Sequence, residues 1–273
     1  MRKTIPAKRF RFLLPAIALF SLACAAQTEY QAEAVTNGGT IKGTVKWSGP
    51  VLKDLSLPIT KNPDVCDPDK LKIRNLQRLE IDPNGGVANT VVFLKNISKG
   101  KAMSLSPAHP ILDQKNCRYE PHILLVPKGG NMEMKSSDPI LHNIHMSGAA
   151  LYNLPFPIAD KVLSRVMRSE GVVDLKCDAG HVWMNAEILV VAHPYYAVTD
   201  AHGNFELTDV PAGDYTITAW HEGWKIDRTE TVIDVDSRQE VHRPIFSEPK
   251  TWDQKATVSA NGVVKVNFEL SDK

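Results

Sequence analysis

The eight residues "CDAGHVWM", positions 177–184, place a thiol, an imidazole and a thioether in one short segment. All three bind soft metals, so the chemistry on offer is that of copper or zinc rather than of a hard cation. Ligands must aim at one point, which makes strand parity the first test. In "GVVDLKC", Val173, Leu175 and Cys177 share one face, and Asp174 and Lys176 take the other. In "MNAEILV", Met184, Ala186, Ile188 and Val190 share the inner face, while Asn185 and Glu187 face out. Cys177 and Met184 therefore both point inward. His181 lies in the turn between them, just after Gly180, which lets the backbone bend sharply. Upstream, "DPILHNIHM" offers His142 and His145. On a strand these two face opposite ways, and parity favours His142. The expected ligands are thus His142, Cys177, His181 and Met184. A His₂Cys plane with a weak axial Met holds one copper ion for electron transfer. Zinc more often recruits a second Cys or a carboxylate than a Met. Taken singly, each residue has a blander reading: a hydrogen-bonded core His, a packed Met, a Cys acting as a small hydrophobe. Their coincidence singles them out.

Other chemistries find less support. "HEGWK" lacks the second His of H-E-x-x-H, so His221 and Glu222 read as surface or hydrogen-bonded residues. There is no G-x-S-x-G elbow and no phosphate loop, so the chain does not read as an enzyme. A binuclear copper centre needs two bridging cysteines, and only Cys177 is available. Trp183, between two ligands, reads as packing that could also shield the site. Tyr195, Tyr196 and Trp220 read as core or interdomain contacts.

The elements that must position these residues are strands. "TIKGTVKW", "VANTVVFLKN", "HILLVPKGGNMEMKSSD", "GVVDLKC" and "NAEILVVAH" are β-branched or alternating runs separated by Gly, Pro and Asn turns. The pattern argues for an all-β sandwich or barrel. "IADKVLSRVMRSEG" is ambiguous: it fits an amphipathic helix stopped by Gly171, or a bent strand. From His193 onward, "YYAVTDAHGNFELTDVPAGDYTITAW" contains three more short strands.

Of 273 residues, 43% are hydrophobic and 23% charged, as in a soluble globular protein of one large or two ordinary domains. A formal net charge of +1 suggests neither nucleic acid nor an anionic membrane as partner. Arg2, Lys3, Lys8, Arg9 and Arg11 precede "FLLPAIALFSLACAA", which reads as a secretory signal over residues 1–25. Cleavage after Ala25 fits; alternatively "SLAC" is a lipobox that acylates Cys24 and anchors the protein to a membrane. Either way the protein is exported. In an oxidising compartment Cys66 and Cys117, which lack nearby metal-ligating residues, are expected to form a disulfide and leave Cys177 free. Residues 26–37 read as a flexible lead.

The phrases "LLVPKGGNMEMKSSDPILHNI" and "VVDLKCDAGHVWM" resemble, in order and spacing, the two ligand-bearing phrases of the cupredoxin family. The resemblance covers residues 38–192. It implies a Greek-key β-barrel with one copper held by His142, Cys177, His181 and Met184, and Asn143 as the residue that tethers the two ligand loops. It also favours a strand for the ambiguous segment. The three residues between Cys177 and His181 are intermediate between the family's short and longer loops. "AVTDAHGNFELTDVPAGDYTITAWHEG" resembles a carboxypeptidase-regulatory-like, transthyretin-like sandwich over residues 193–273, which implies no catalytic residues. The whole resembles exported bacterial proteins, periplasmic or outer-membrane-anchored. The function expected is one-electron transfer to an unidentified redox partner protein, with His181, in the loop nearest solvent, as the electron port. A metal-free envelope scaffold or adhesion module, and copper storage or delivery, are the alternatives.

Overall fold

Strands account for nearly every element of the computed structural model, which describes residues 29–50, 55–105, 108–234 and 236–272. The expected signal over 1–25, and Cys24 with it, lies outside the described residues. Among the described residues no helix is long and apolar enough to cross a membrane. The all-β expectation holds. The ambiguous segment is a strand, Val162–Val166, paired antiparallel with Asn131–Ser136.

Two sandwiches stack side by side. In the first, a five-stranded sheet runs in the order Tyr152–Phe156, His142–Gly148, Gly171–Lys176, Asn185–Val191, Ile123–Pro127. A four-stranded sheet faces it, in the order Val162–Val166, Asn131–Ser136, Ile111–Lys115, Arg118–Glu120. Alternation along these strands puts Leu112, Met132 and Met134 opposite Ile144, Val173, Leu175 and Ile188 in one buried core. The second sandwich pairs the sheet Tyr196–Val198, Val91–Lys95, Gly213–His221, Lys250–Val258 with the sheet containing Asn204–Val210 and Gly39–Trp47. Ile41, Val45, Leu94, Phe205, Leu207 and Ile217 fill it.

This topology corrects the expected boundary between residues 192 and 193. Gly39–Trp47 pairs with Asn204–Val210, and Val91–Lys95 pairs with Gly213–His221, so the second sandwich takes strands from both ends of the chain. The first sandwich is inserted between them. Residues 55–76 also leave the second sandwich to pack on the first, where Cys66 and Leu76 join its core. The lead is not wholly free either: Gln31–Ala32 pairs with Lys99–Gly100, and the Tyr30 hydroxyl donates to the Lys101 carbonyl at 2.6 Å.

The outer face of the five-stranded sheet meets the second sandwich. Ile123, Leu125, Leu189 and Val191 pack there against Val91 and Trp220, which makes Trp220 an interdomain contact. That contact also buries Glu187, which parity placed on the solvent face. Glu187 and Glu222 share the guanidinium of Arg78, and Glu222 also bonds His122. Burial pushes the Glu187 carboxyl well up, and nearby Glu222 adds to this. Glu222 is held below its usual range, because His122 and Arg78 outweigh its burial. His221 and Glu222 are therefore hydrogen-bonded, as one reading had it, but wholly buried.

Removing one partner from a buried ion cluster strands the other charges, at about 3–5 kcal/mol. Arg78→Ala is expected to lower the unfolding free energy by that amount in urea titrations. A loss below about 1 kcal/mol would mean that the carboxylates do not depend on Arg78.

Candidate metal centre

Antiparallel pairing brings three segments to one end of the five-stranded sheet. Lys176 pairs with Asn185, so Cys177 and Met184 flank the ends of adjacent strands. His145 pairs with Lys176, which places His142, at the start of its strand, beside the 177–184 loop. His142, Cys177 and His181 are each 0% exposed. One donor atom from each lies within 4.8 Å of the others. The Cys177 sulfur is 3.7 Å from His181 Nδ1, and the two imidazoles are 4.5 Å apart between ring centres. Met184 is buried in the same core, and its N–H donates to the His181 carbonyl at 2.9 Å. His145 stands apart, half-buried and paired with Asp178.

The orientation of each imidazole is set from behind. His142 Nε2 donates to Asp138 Oδ2 at 2.9 Å. Asp138 also accepts the backbone N–H groups of Asn116 and Cys117, each at 2.8 Å. Burial raises the Asp138 carboxyl, but His142 and the two amides outweigh it and hold it below its usual range. An ionised carboxylate only accepts, so Nε2 is the donor in this pair and Nδ1 is the nitrogen left for another partner. That Nδ1 is buried with no hydrogen-bond partner. His181 repeats the arrangement: Nε2 donates to Asn62 Oδ1 at 3.0 Å, and Nδ1 faces the Cys177 sulfur. A buried polar atom without a partner is costly. A soft ion between Cys177 and the two Nδ1 atoms would satisfy it, and two imidazoles, a thiolate and a thioether suit copper. The residues present fit the metal.

The ligand loop is clamped on every side. Asn143 Oδ1 accepts the Asp178 N–H at 2.9 Å, a hydrogen bond that links the His142–Gly148 strand to the 177–184 loop. Arg243, on the hairpin formed by Ile226–Ile233 and Glu240–Phe246, donates to the Cys177 carbonyl at 2.9 Å and to Asp178 Oδ1 at 3.1 Å. Trp183 packs edge-on against His181 and donates Nε1–H to the Cys117 carbonyl at 3.2 Å. Cys117 is bonded to Cys66, and Cys177 is the free thiol among the described cysteines. Gly180 has φ +91, and a Cβ there would lie 1.9 Å from Asp234 Oδ2.

One expectation is corrected. His181 was expected nearest solvent, as the electron port; it is fully buried under Asn62. Sequence reading also missed Asn62, Asp138 and Arg243. Asp138 carries a local signal, four residues before His142. Asn62 and Arg243 carry none, since they reach the site through the fold.

Burial pushes the Cys177 thiol up, although the N–H groups of Ala179, Asn143 and His181 pull the other way. Burial, helped by His142 and Lys61, lowers His181 from 6.5 to about 3. The imidazole is therefore neutral at any physiological pH, as a ligand must be. Cys177, His181 and Asn62 also imitate a nucleophile, base and orienting amide. A raised thiol with no exposure gives a substrate neither a thiolate nor a way in.

Residues 169–243 match a family model described as polysaccharide lyase family 4, domain II. The match straddles both sandwiches. No curated protein sequence matches the chain. Among solved structures, the purple cupredoxin from Nitrosopumilus maritimus is 22% identical with a TM-score of 0.27, over 30% of this chain and 99% of that one. An oxidised variant of amicyanin is 21% identical with a TM-score of 0.28, over 33% of this chain and 89% of that one. A Cu-containing nitrite reductase from Thermus scotoductus SA-01 is 16% identical with a TM-score of 0.28, over 33% of this chain and 24% of that one. Likenesses this distant assign no function.

A histidine whose folded pKa is depressed binds its proton in the unfolded chain first, so stability falls as pH drops below about 6.5. His181 at about 3 and His193, lowered by burial to about 4, both act this way. Unfolding free energy of the metal-free protein is expected to fall by about 1.4 kcal/mol per pH unit for each of them. Urea titrations at several pH values between 7 and 5 measure this. His193→Gln should remove one histidine's share; an unchanged slope would place its proton elsewhere.

Proposed function

We propose that the chain is an exported, mononuclear copper protein of the cell envelope that carries single electrons, and is not itself an enzyme. The observation that supports this most is the meeting of His142, Cys177 and His181, one donor atom from each within 4.8 Å of the others, with each Nε2 already committed to an acceptor behind it. His142, Cys177 and His181 would hold the ion, with Met184 the weak fourth donor. A copper ion bound there supplies a one-electron couple between its cuprous and cupric states.

The protein's own part is to keep the donors still and dry. Cys177 and Met184 flank two hydrogen-bonded strands, and His142 begins a third. The core beneath them holds the strands in register. Fixed donors need not rearrange when charge changes, which is what fast electron exchange asks of a site. The N–H groups near the Cys177 sulfur stabilise its thiolate form as the metal displaces the proton. The domain resemblances, cupredoxin-like for the first sandwich and transthyretin-like for the second, belong to this proposal, as do the bacterial envelope location, anchoring through Cys24 where the lipobox is used, and a separate redox protein as partner. A metal-free scaffold would leave the unpaired His142 Nδ1 unexplained.

The test is metal analysis and a visible spectrum of the full chain with Cys177 reduced. Adding Cu(II) is expected to give an intense thiolate-to-copper absorption at one ion per chain. Cys177→Ser should abolish it, and Met184→Leu should shift it without abolishing it. A folded, reduced sample that stays colourless overturns the reading.

A further inference from the structure

Asn62 belongs to no ligand pattern, yet it touches one of the candidate ligands from the far side. It precedes the short helix Pro63–Cys66 as its N-cap, a position where Asn ordinarily accepts a helix N–H. Here the side chain makes no capping bond. Its oxygen is turned away and accepts from His181 Nε2 at 3.0 Å. The backbone at Asn62 is left-handed, with φ 47 and ψ 50, a conformation that Asn tolerates and most residues do not.

The segment around Asn62 is fastened at both ends. On one side, Cys66 is bonded to Cys117, whose N–H in turn donates to Asp138, the acceptor behind His142. On the other, Lys61 bridges Asp234 at 2.6 Å and Asp236 at 2.7 Å, beyond the Ile226–Ile233 strand. Gly180 lies under this clasp: a Cβ there would be 3.0 Å from Lys61 Nζ as well as colliding with Asp234. The roof therefore rests on the ligand loop itself.

We propose that Asn62 is a positioning and specificity-determining residue of the metal centre. It fixes His181 in the tautomer that presents Nδ1 to Cys177, and with the Lys61 clasp it closes the outer edge of that ring. The site then exchanges electrons but does not exchange ligands. This rests on the copper reading above.

The experiment compares the copper-loaded full chain as wild type, Asn62→Gly and Asn62→Asp. Glycine keeps the left-handed backbone and deletes the acceptor; aspartate keeps an acceptor. Two readouts follow: the visible band during titration with azide, and the rate of copper loss to a bathocuproine chelator after reduction. Wild type and Asn62→Asp are expected to ignore azide, whereas Asn62→Gly shows a saturable shift. Copper loss should be about 10–100-fold faster in Asn62→Gly, the usual range for losing a residue that orients a ligand, and close to wild type in Asn62→Asp. A third measurement needs no variant. In the metal-free wild type, ¹⁵N spectra of the histidines should show His181 protonated at Nε2, and the Nδ1–H tautomer would overturn the proposal. If wild type shows the band and Asn62→Gly matches it in both readouts, or if Asn62→Asp behaves like Asn62→Gly, Asn62 has no such role. If wild type takes up no copper, the copper reading fails and this proposal with it.

Discussion

The structure turns on two buried imidazoles held beside one buried sulfur. A strand end can deliver a Cα to the right place, but it leaves the ring free to rotate and either nitrogen free to hold the proton. Asp138 and Asn62 remove both freedoms by accepting from Nε2 of His142 and His181. Each acceptor is itself tied to the same disulfide, Asp138 through the Cys117 N–H and Asn62 through the helix that ends at Cys66. The disulfide thus acts less as a general staple than as the common anchor of two ring orientations. Its contribution to the site is geometric, whatever it contributes to the unfolded chain.

The second sandwich is part of the same arrangement. Packing against the outer face of the five-stranded sheet leaves that sheet buried on both sides along Ile123–Pro127 and Asn185–Val191. A sheet buried on both faces cannot flex toward solvent, so the Met184 end of the ligand loop is held against a fixed wall. The hairpin of Ile226–Ile233 and Glu240–Phe246 then crosses to the site, where Arg243 binds the Cys177 carbonyl and Asp234 meets Lys61. Arg243 also pairs with Asp178 and Glu230, so its charge is matched where it is buried. A loop gripped from a separate hairpin has little freedom to shift its side chains.

Local periodicity revealed much of this fold and only part of the site. Alternation correctly turned Cys177, Leu175 and Val173 inward, because it depends on the pleat alone. The same rule sent Glu187 outward and failed, because parity names a face and cannot say whether a neighbouring sheet covers it. The strand in "TIKGTVKW" was legible, but its pairing with Asn204–Val210 was not, and the expected boundary fell in the wrong place as a result. Asn62 was out of reach for a further reason: it meets His181 across 119 positions of sequence, and nothing in its local context links it to the 177–184 loop. Contacts that orient a ligand are made by the fold as a whole, and no short segment records them.

Cys177, His181 and Asn62 pose a last question, since a thiol, an imidazole and an amide in a row could equally serve nucleophilic catalysis. What separates the two chemistries is burial. A nucleophile needs a depressed thiol pKa and a route for substrate. Here burial raises the thiol and lowers His181 far below neutrality, so the pair rests as neutral thiol and neutral imidazole. That state does not favour nucleophilic attack, and it suits the binding of a soft metal. A metal displaces the thiol proton by its own charge, needs the imidazole unprotonated, and gains strength from the absence of competing water. His142 weighs on the same side: a second buried imidazole beside the sulfur, with its Nδ1 unpartnered, has no role in a Cys–His–Asn relay and an obvious one in a ligand set.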